Sequence, residues 1–279
     1  MTEPMTATHR HIVLTGASGG IGAATAAALC LPGTRLTLVA RNPERLRRLA
    51  DRLAPRSGGT ATIAADLGLP GTAARVVAEA TAAQGTIDAL VNCAGVNDFG
   101  RFADASPERI ETLIVTNLLA PIQLCRAALP RMLARGRGRI VNVGSVMGGV
   151  GFAGFGVYCA TKFGLRGFSE ALRRELKDSG VSIAYVAPRY TRTTLNTAAM
   201  DRMARAVRMH TDAPEKAANA IAAAVNGEKP EHTIGVMERL LVRVNGLLPG
   251  FVDTSLAKLN RRMLDHADAA GDIVEESLT

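Results

Sequence analysis

The chain has 279 residues, enough for one large α/β domain, and its 47% hydrophobic content can fill a core of that size. The net charge of +8 suits an anionic partner, but the arginines are scattered over many predicted helices, and three tyrosines with no tryptophan give no nucleic-acid motif. No run of eighteen apolar residues and no hydrophobic leader in the polar opening Met1–His11 is found, and Cys30, Cys93, Cys125 and Cys159 stand apart from one another, so the sequence reads as a soluble cytoplasmic protein with reduced thiols, without a metal cluster or a disulfide framework.

His11–Leu14 is a short β-branched and apolar run that breaks into Thr15-Gly-Ala-Ser-Gly-Gly-Ile-Gly22, after which alanines carry a helix to about Leu31. This is strand, glycine turn, helix. Gly16, Gly20 and Gly22 remove side chains where backbone turns tightly and approaches a pyrophosphate, and the helix start offers N–H groups and a positive dipole end. Leu36–Val39 is the second strand and delivers Ala40-Arg41-Asn42 to the place where such a fold meets an adenosine ribose. A guanidinium there suits a 2′-phosphate, so Arg41 argues for NADP(H) over NAD(H). The alternative is a solvated arginine opening the charged helix that carries Arg45, Arg47 and Arg48.

Ala61–Leu67 reads as a third strand, with Asp66 at its end in reach of an adenine amino group, and a helix over Thr72–Ala83 follows. Ala89–Gly95 is a fourth strand closing on small residues. Ser106 and Pro107 suit the cap and first turn of a long apolar-periodic helix through Asn117 to about Met132. On its own, a mid-helix asparagine is more often a tolerated polar residue than a functional one. Arg139–Ser145 is the fifth strand, a glycine-rich loop from Gly148 to Gly156 comes next, and the sixth strand, Val181–Ala187, stops at Pro188. Between them Tyr158 and Lys162 sit four residues apart, on one face of a predicted helix, where a fixed positive charge draws a phenol towards ionisation and lets it move a proton. The alternation predicts an α/β, Rossmann-like, doubly wound and mainly parallel seven-stranded sheet with helices on both faces, and a ligand at the carboxyl ends of its strands. Thr15, Asn92, Ser145 and Pro188 fall at such ends and are expected to converge on one crevice.

Thr15-Gly16-x-x-x-Gly20-x-Gly22, Asn92-x-Ala94-Gly95, Asn117, Ser145 and Tyr158-x-x-x-Lys162, in that order, closely resemble the short-chain dehydrogenase/reductase family over roughly residues 8 to 195. The resemblance implies that Tyr158 is the general acid in reduction and the base in oxidation, and that Ser145 hydrogen-bonds the reacting oxygen. It implies that Lys162 lowers the tyrosine pKa and holds the nicotinamide ribose, and that Asn117 kinks its helix and holds a water linking Lys162 to solvent. It further implies cofactor contacts at Thr15, Gly16, Ser18, Gly20, Ile21, Gly22, Arg41, Asp66, Leu67, Asn92, Ala94, Gly95, Tyr158, Lys162, Pro188, Thr191 and Thr193. The pattern departs from the family at Arg189, where glycine usually follows the proline. The family also commonly pairs the helices carrying Asn117 and Tyr158 across dimers, which implies a homodimer or homotetramer.

Past Thr193, residues 198–209 read as a helix pair covering the substrate, followed by a helix over Ala213–Asn226 and a seventh strand over His232–Val236. Two amphipathic stretches, Met237–Leu248 and Phe251–Leu264, then form a C-terminal helical extension. Their apolar faces read as packing on the chain's own sheet or a sister subunit, with a membrane-surface or partner helix as the alternative. The domain reading is residues 1–236 as one cofactor-binding and catalytic unit, 237–264 as its extension and 265–279 as a flexible tail. The resemblance thus leads to an NADP(H)-dependent oxidoreductase interconverting a carbonyl and an alcohol, acting as a reductase of a ketoacyl, fatty acyl or other lipid-like carbonyl, free or carrier- or coenzyme-bound. The rival from another class is a catalytically idle NADP-binding regulator, for which a proton relay has no use.

Overall fold

The strand His11–Thr15 (β1) is buried along its whole length, as a strand must be when helices cover both faces of a parallel sheet. The computed structural model describes residues 10–227 and 230–267. After β1 come α1 (Gly20–Leu29), β2 (Arg35–Ala40), α2 (Pro43–Leu53), β3 (Gly59–Ala64), α3 (Thr72–Gln84) and β4 (Ala89–Asn92). The chain continues through α4 (Pro107–Ile114), α5 (Ala120–Ala134), β5 (Gly138–Val143), α6 (Gly156–Glu175) and β6 (Val181–Ala187). It ends with α7 (Ala198–Ala206), α8 (Pro214–Val225), β7 (Glu231–Thr233), α9 (Val236–Leu247) and α10 (Pro249–Leu264).

The strands form one sheet in the order β3-β2-β1-β4-β5-β6-β7, and every ladder is parallel. Side chains alternate across it: Ile12 and Leu14 of β1 join the core beneath α1, α2 and α8, while Val13 joins the opposite core beneath α3, α5 and α6. Strand order reverses between β1 and β4, and there a crevice opens at the carboxyl ends. At the amino ends the buried His11 ring ties neighbouring segments together. Its Nδ1 donates to the Gly85 carbonyl at 2.9 Å and its Nε2 accepts from the Thr37 hydroxyl at 2.8 Å, and burial holds the imidazole below its ordinary pKa.

A third apolar cluster lies outside the sheet, over the crevice. Phe99 and Phe155, with ring centroids 4.8 Å apart, meet Met200 and Met203 of α7 and Met263 of α10. The end of the extension is therefore built into the body, while α9 has no fully buried residue.

Several boundaries differ from those read in the sequence. The helix expected as one run from Ser106 to Met132 is interrupted by a π-helical turn, Val115–Leu119, because the Asn117 amide is drawn to the backbone of Val96. Taken together, Pro107–Ala134 is long and apolar enough, by length and composition alone, to cross a membrane. Here one side packs on the sheet while Ile114, Leu119 and Leu133 are exposed. The pair of helices expected over residues 198–209 is a single one: Thr197 caps α7, accepting from Met200 N at 3.0 Å, and the left-handed Arg208, at φ 52°, turns the chain out of it. β3 and β4 stop earlier than expected, so Asp66 and Gly95 stand on loops beyond them. β7 ends at Thr233 because Gly235, at φ 96°, starts α9. The tail beyond residue 267 lies outside the described residues.

Candidate active site

The floor of the crevice is set by backbone packing too tight for side chains. Gly16 is left-handed, at φ 67°, and a Cβ on it would come 2.7 Å from Ala94 Cα. At Gly22 a Cβ would stand 1.9 Å from the Gly16 carbonyl oxygen, and at Gly20 it would stand 2.8 Å from Thr193 Cγ2. α1 begins at Gly20 with no side-chain cap and no acidic residue in its first turn, so its leading N–H groups face the cavity with the positive end of the helix dipole behind them. The cavity holds about 180 Å³ and runs from Arg41 and Asn42, past Ser18 and Ile21, between Asp66–Leu67 and Ala94–Gly95, to Tyr158 and Lys162. Asp66 accepts from Gly68 N at 2.8 Å, and its charge opposes the lowering that burial imposes on Arg41.

Thirteen of the residues expected at a cofactor line this cavity: Gly16, Ser18, Gly20, Ile21, Gly22, Arg41, Asp66, Leu67, Ala94, Gly95, Tyr158, Lys162 and Thr193. Four do not. Thr15 is buried below it, where its hydroxyl accepts from Cys93 N at 3.1 Å and Ala94 N at 3.2 Å, so it shapes the floor. Asn92 is likewise buried and donates to Asn142 Oδ1 at 2.8 Å, joining β4 to β5. Pro188 and Thr191 belong to a neighbouring cavity; the Pro188 carbonyl accepts from Val146 N, and the Thr191 hydroxyl donates to the Arg189 carbonyl. Arg45, Thr116, Thr194 and Leu195 are among the other residues lining the first cavity, and no local pattern marks them as cofactor contacts.

At the inner end, α6 carries Tyr158 and Lys162 on one face, as their spacing requires. Burial pushes the Tyr158 phenol up to about 12, and its hydrogen bond with Ser145 opposes that rise. Burial also brings the Lys162 ammonium down to about 8. The net shift of the phenol is upward, set first by burial. Nζ lies 5.6 Å from the Tyr158 ring centroid and donates to the Val143 carbonyl at 3.2 Å. Asn117 accepts from Val96 N and donates to Val96 O, both at 2.8 Å, and its Oδ1 lies 3.1 Å from where a Gly95 Cβ would be. The π turn thus fixes the loop that closes over Lys162.

Ser145 is held from behind by a residue that sequence reasoning passed over. The buried Tyr185 hydroxyl accepts from Ser145 N and donates to Ser145 O, each at 3.3 Å, and lies 3.4 Å from Lys162 O. Gly144 and Gly148 leave the space it fills. An aromatic hydroxyl in β6, a strand otherwise built of aliphatic residues and one serine, was the available signal. In front of Ser145 lies the second cavity, of about 360 Å³, walled by Met147, Phe152, Leu241, Leu256 and Leu259, with Arg189, His210 and Glu238 on its polar side. Tyr158 lines both cavities. A phenol with a serine hydroxyl beside it and a buried ammonium behind it can deliver or take one proton where the two spaces meet.

The short chain dehydrogenase family model matches residues 10–204. Over 255 residues the chain is 33% identical to the ketoacyl reductase HetN of Nostoc sp., which spans 89% of this chain and 88% of that protein. Among solved structures, a metagenomic short-chain oxidoreductase in complex with NADP superposes with a TM-score of 0.69 and 32% identity, covering 81% of this chain and 97% of the other. A short-chain dehydrogenase from Streptomyces avermitilis does so with a TM-score of 0.76 and 29% identity, over 91% and 98%.

Proposed function

The chain belongs to the short-chain dehydrogenase family and is an oxidoreductase, and we propose that it uses NADP(H) to interconvert a lipid-like carbonyl and its alcohol. The observation that carries this reading is the position of Tyr158 on the wall shared by a glycine-floored cradle and an apolar cavity. The cradle fits a nicotinamide dinucleotide: Gly16, Gly20 and Gly22 leave room for backbone to approach a pyrophosphate, α1 offers N–H groups to it, and Arg41 stands where a 2′-phosphate would be met. When bound, the nicotinamide supplies the hydride chemistry. The residues supply the rest: Ser145 orients the carbonyl oxygen, Tyr158 gives it a proton, and the charged Lys162 stabilises the phenolate left behind. Asn117 holds the Val96 backbone over Lys162.

The apolar lining of the second cavity supports a substrate with an extended hydrocarbon part, and the relative named as a ketoacyl reductase supports a β-ketoacyl thioester within that class. The test is turnover of a carbonyl panel followed at the nicotinamide absorbance. A long-chain β-ketoacyl thioester is expected to be reduced with a higher kcat/KM than a small ketone. Tight NADPH binding with no turnover of any carbonyl would instead mark a regulator.

Arg41→Asp tests the cofactor assignment. A carboxylate repels a 2′-phosphate and accepts from a free 2′-hydroxyl. Loss of the charge-assisted contact is worth about 1.5–3 kcal/mol. The ratio of kcat/KM for NADPH to that for NADH is therefore expected to fall by about one to two powers of ten. An unmoved ratio places the phosphate elsewhere.

A further inference from the structure

Arg189, the departure from the family pattern, lies at the centre of an ion cluster joining three separate parts of the chain. Its side chain is 14% exposed. Nε and Nη2 grip both oxygens of Asp212, at 2.6 and 2.9 Å, and Nη1 reaches Glu238 Oε1 of α9 at 3.1 Å. Lys216 of α8 and His210 also face Asp212, at 3.1 and 3.3 Å. Arg189 above all, then Lys216, holds the Asp212 carboxyl low, at about 2. The backbone doubles the link: Asp212 N donates to the Tyr190 carbonyl at 2.9 Å, and Arg192 N donates to the Asp212 carbonyl at 3.0 Å.

α9 packs chiefly on α10 and, with no fully buried residue, is held to the body by few contacts besides this cluster. A helix without a fully buried residue gains little from the hydrophobic effect, so its few directed contacts decide where it rests. Those are the Arg189–Glu238 pair in its first turn, the Asn245 amide donating to Gly149 O at 3.0 Å near its end, and Val242 packed over Gly149. Gly235 belongs to the same device, since a side chain there would occupy the space taken by the Glu238 carboxylate. A glycine at position 189 would leave the Asp212 and Glu238 carboxylates facing each other with no guanidinium between them. Arg189, Glu238 and Leu241 all line the apolar cavity, so the latch positions one of its walls.

We propose that Arg189 is a positioning residue that sets substrate specificity: it latches α9 against the body and so closes the cavity around the hydrocarbon part of the substrate. The latch also joins that wall to the 190–196 loop, whose Thr193 and Leu195 line both cavities. The specificity half rests on the proposed function; the latch itself does not. The experiment measures hydrogen exchange along residues 236–248 of the full-length protein, in the wild type, Arg189→Gly, Arg189→Lys and Arg189→Gly with Glu238→Gln. Arg189→Gly is expected to speed exchange there by about tenfold or more, with the β1 and β4 amides unchanged. Arg189→Lys keeps the charge without the two-pronged grip, and so falls between the two. Adding Glu238→Gln to Arg189→Gly is expected to restore part of the protection, because it removes the facing carboxylate. Kinetics form the second arm: for Arg189→Gly, KM for a long-chain β-ketoacyl thioester is expected to rise about tenfold more than KM for a small ketone. Unchanged exchange over 236–248 in both Arg189 variants overturns the latch, whatever the activity. Faster exchange with KM values that move together overturns the specificity role. If the wild type turns over no carbonyl at all, the proposed function fails while the exchange arm still decides the latch.

Discussion

Tyr158→Phe is expected to lower kcat by about 10²–10⁴-fold, the usual worth of a positioned general acid, while the dissociation constant for NADPH stays within about twofold. The substitution keeps the ring that forms the wall between the two cavities and removes only the hydroxyl that carries the proton. Ser145 loses a hydrogen-bond partner but keeps its place, because its hydroxyl still accepts from Met147 N at 3.1 Å and its backbone is still gripped by Tyr185. The drop therefore belongs to kcat and not to binding. Single-turnover kinetics with NADPH measures it directly, and a variant retaining most of its turnover would move the proton-donor role to another group.

Gly22→Ala is expected to abolish measurable cofactor binding and to lower stability by about 1–3 kcal/mol, the usual cost of overpacking a tight site. The new methyl would lie 1.9 Å from the Gly16 carbonyl, which cannot retreat because Gly16 is itself wedged against Ala94. Helix α1 must move off the turn, and the N–H groups at its start leave the cradle with it. Gly167→Ala is the control: nothing lies within 4 Å of its added methyl, and an exposed helix position gains about 0.5–1 kcal/mol from the change. Fluorescence titration with NADPH and thermal denaturation of both variants separate the steric effect from a general intolerance of alanine. Cofactor binding by Gly22→Ala at wild-type strength would show that the turn relaxes without cost.

Much of this architecture could be read from neighbours in the chain. Apolar runs of strand length, glycines at a strand-to-helix turn and a four-residue spacing on one helix are local signals, and they located β1, α1 and the Tyr158–Lys162 pair. The remainder depends on contacts that no window contains. Arg189 meets Asp212 and Glu238 across 23 and 49 residues, and Tyr185 supports Ser145 across 40. Thr15 and Asn92 were correctly placed at strand ends, but whether a strand-end side chain points up into a cavity or down into its floor depends on the neighbouring strand's register. Asn117 shows the intermediate case. Its mid-helix position was visible as an oddity, but the π turn follows only from its hold on Val96.

The placement of β1 also bears on how the chain reaches this state. β1, β2 and β3 emerge first and can pair at once, but the other edge of β1 has no partner until β4 is made; His11 N donates to Asp88 at 2.8 Å across 77 residues. Until then the edge of a mostly apolar strand is open, the situation in which nascent chains pair wrongly or wait for chaperones. Closing so long a loop is the expected slow step of folding. That step creates the reversal between β1 and β4, and with it the crevice. A dinucleotide spanning the crevice can bind only after the two halves have met, so at saturating concentration it draws the population towards the completed sheet by mass action.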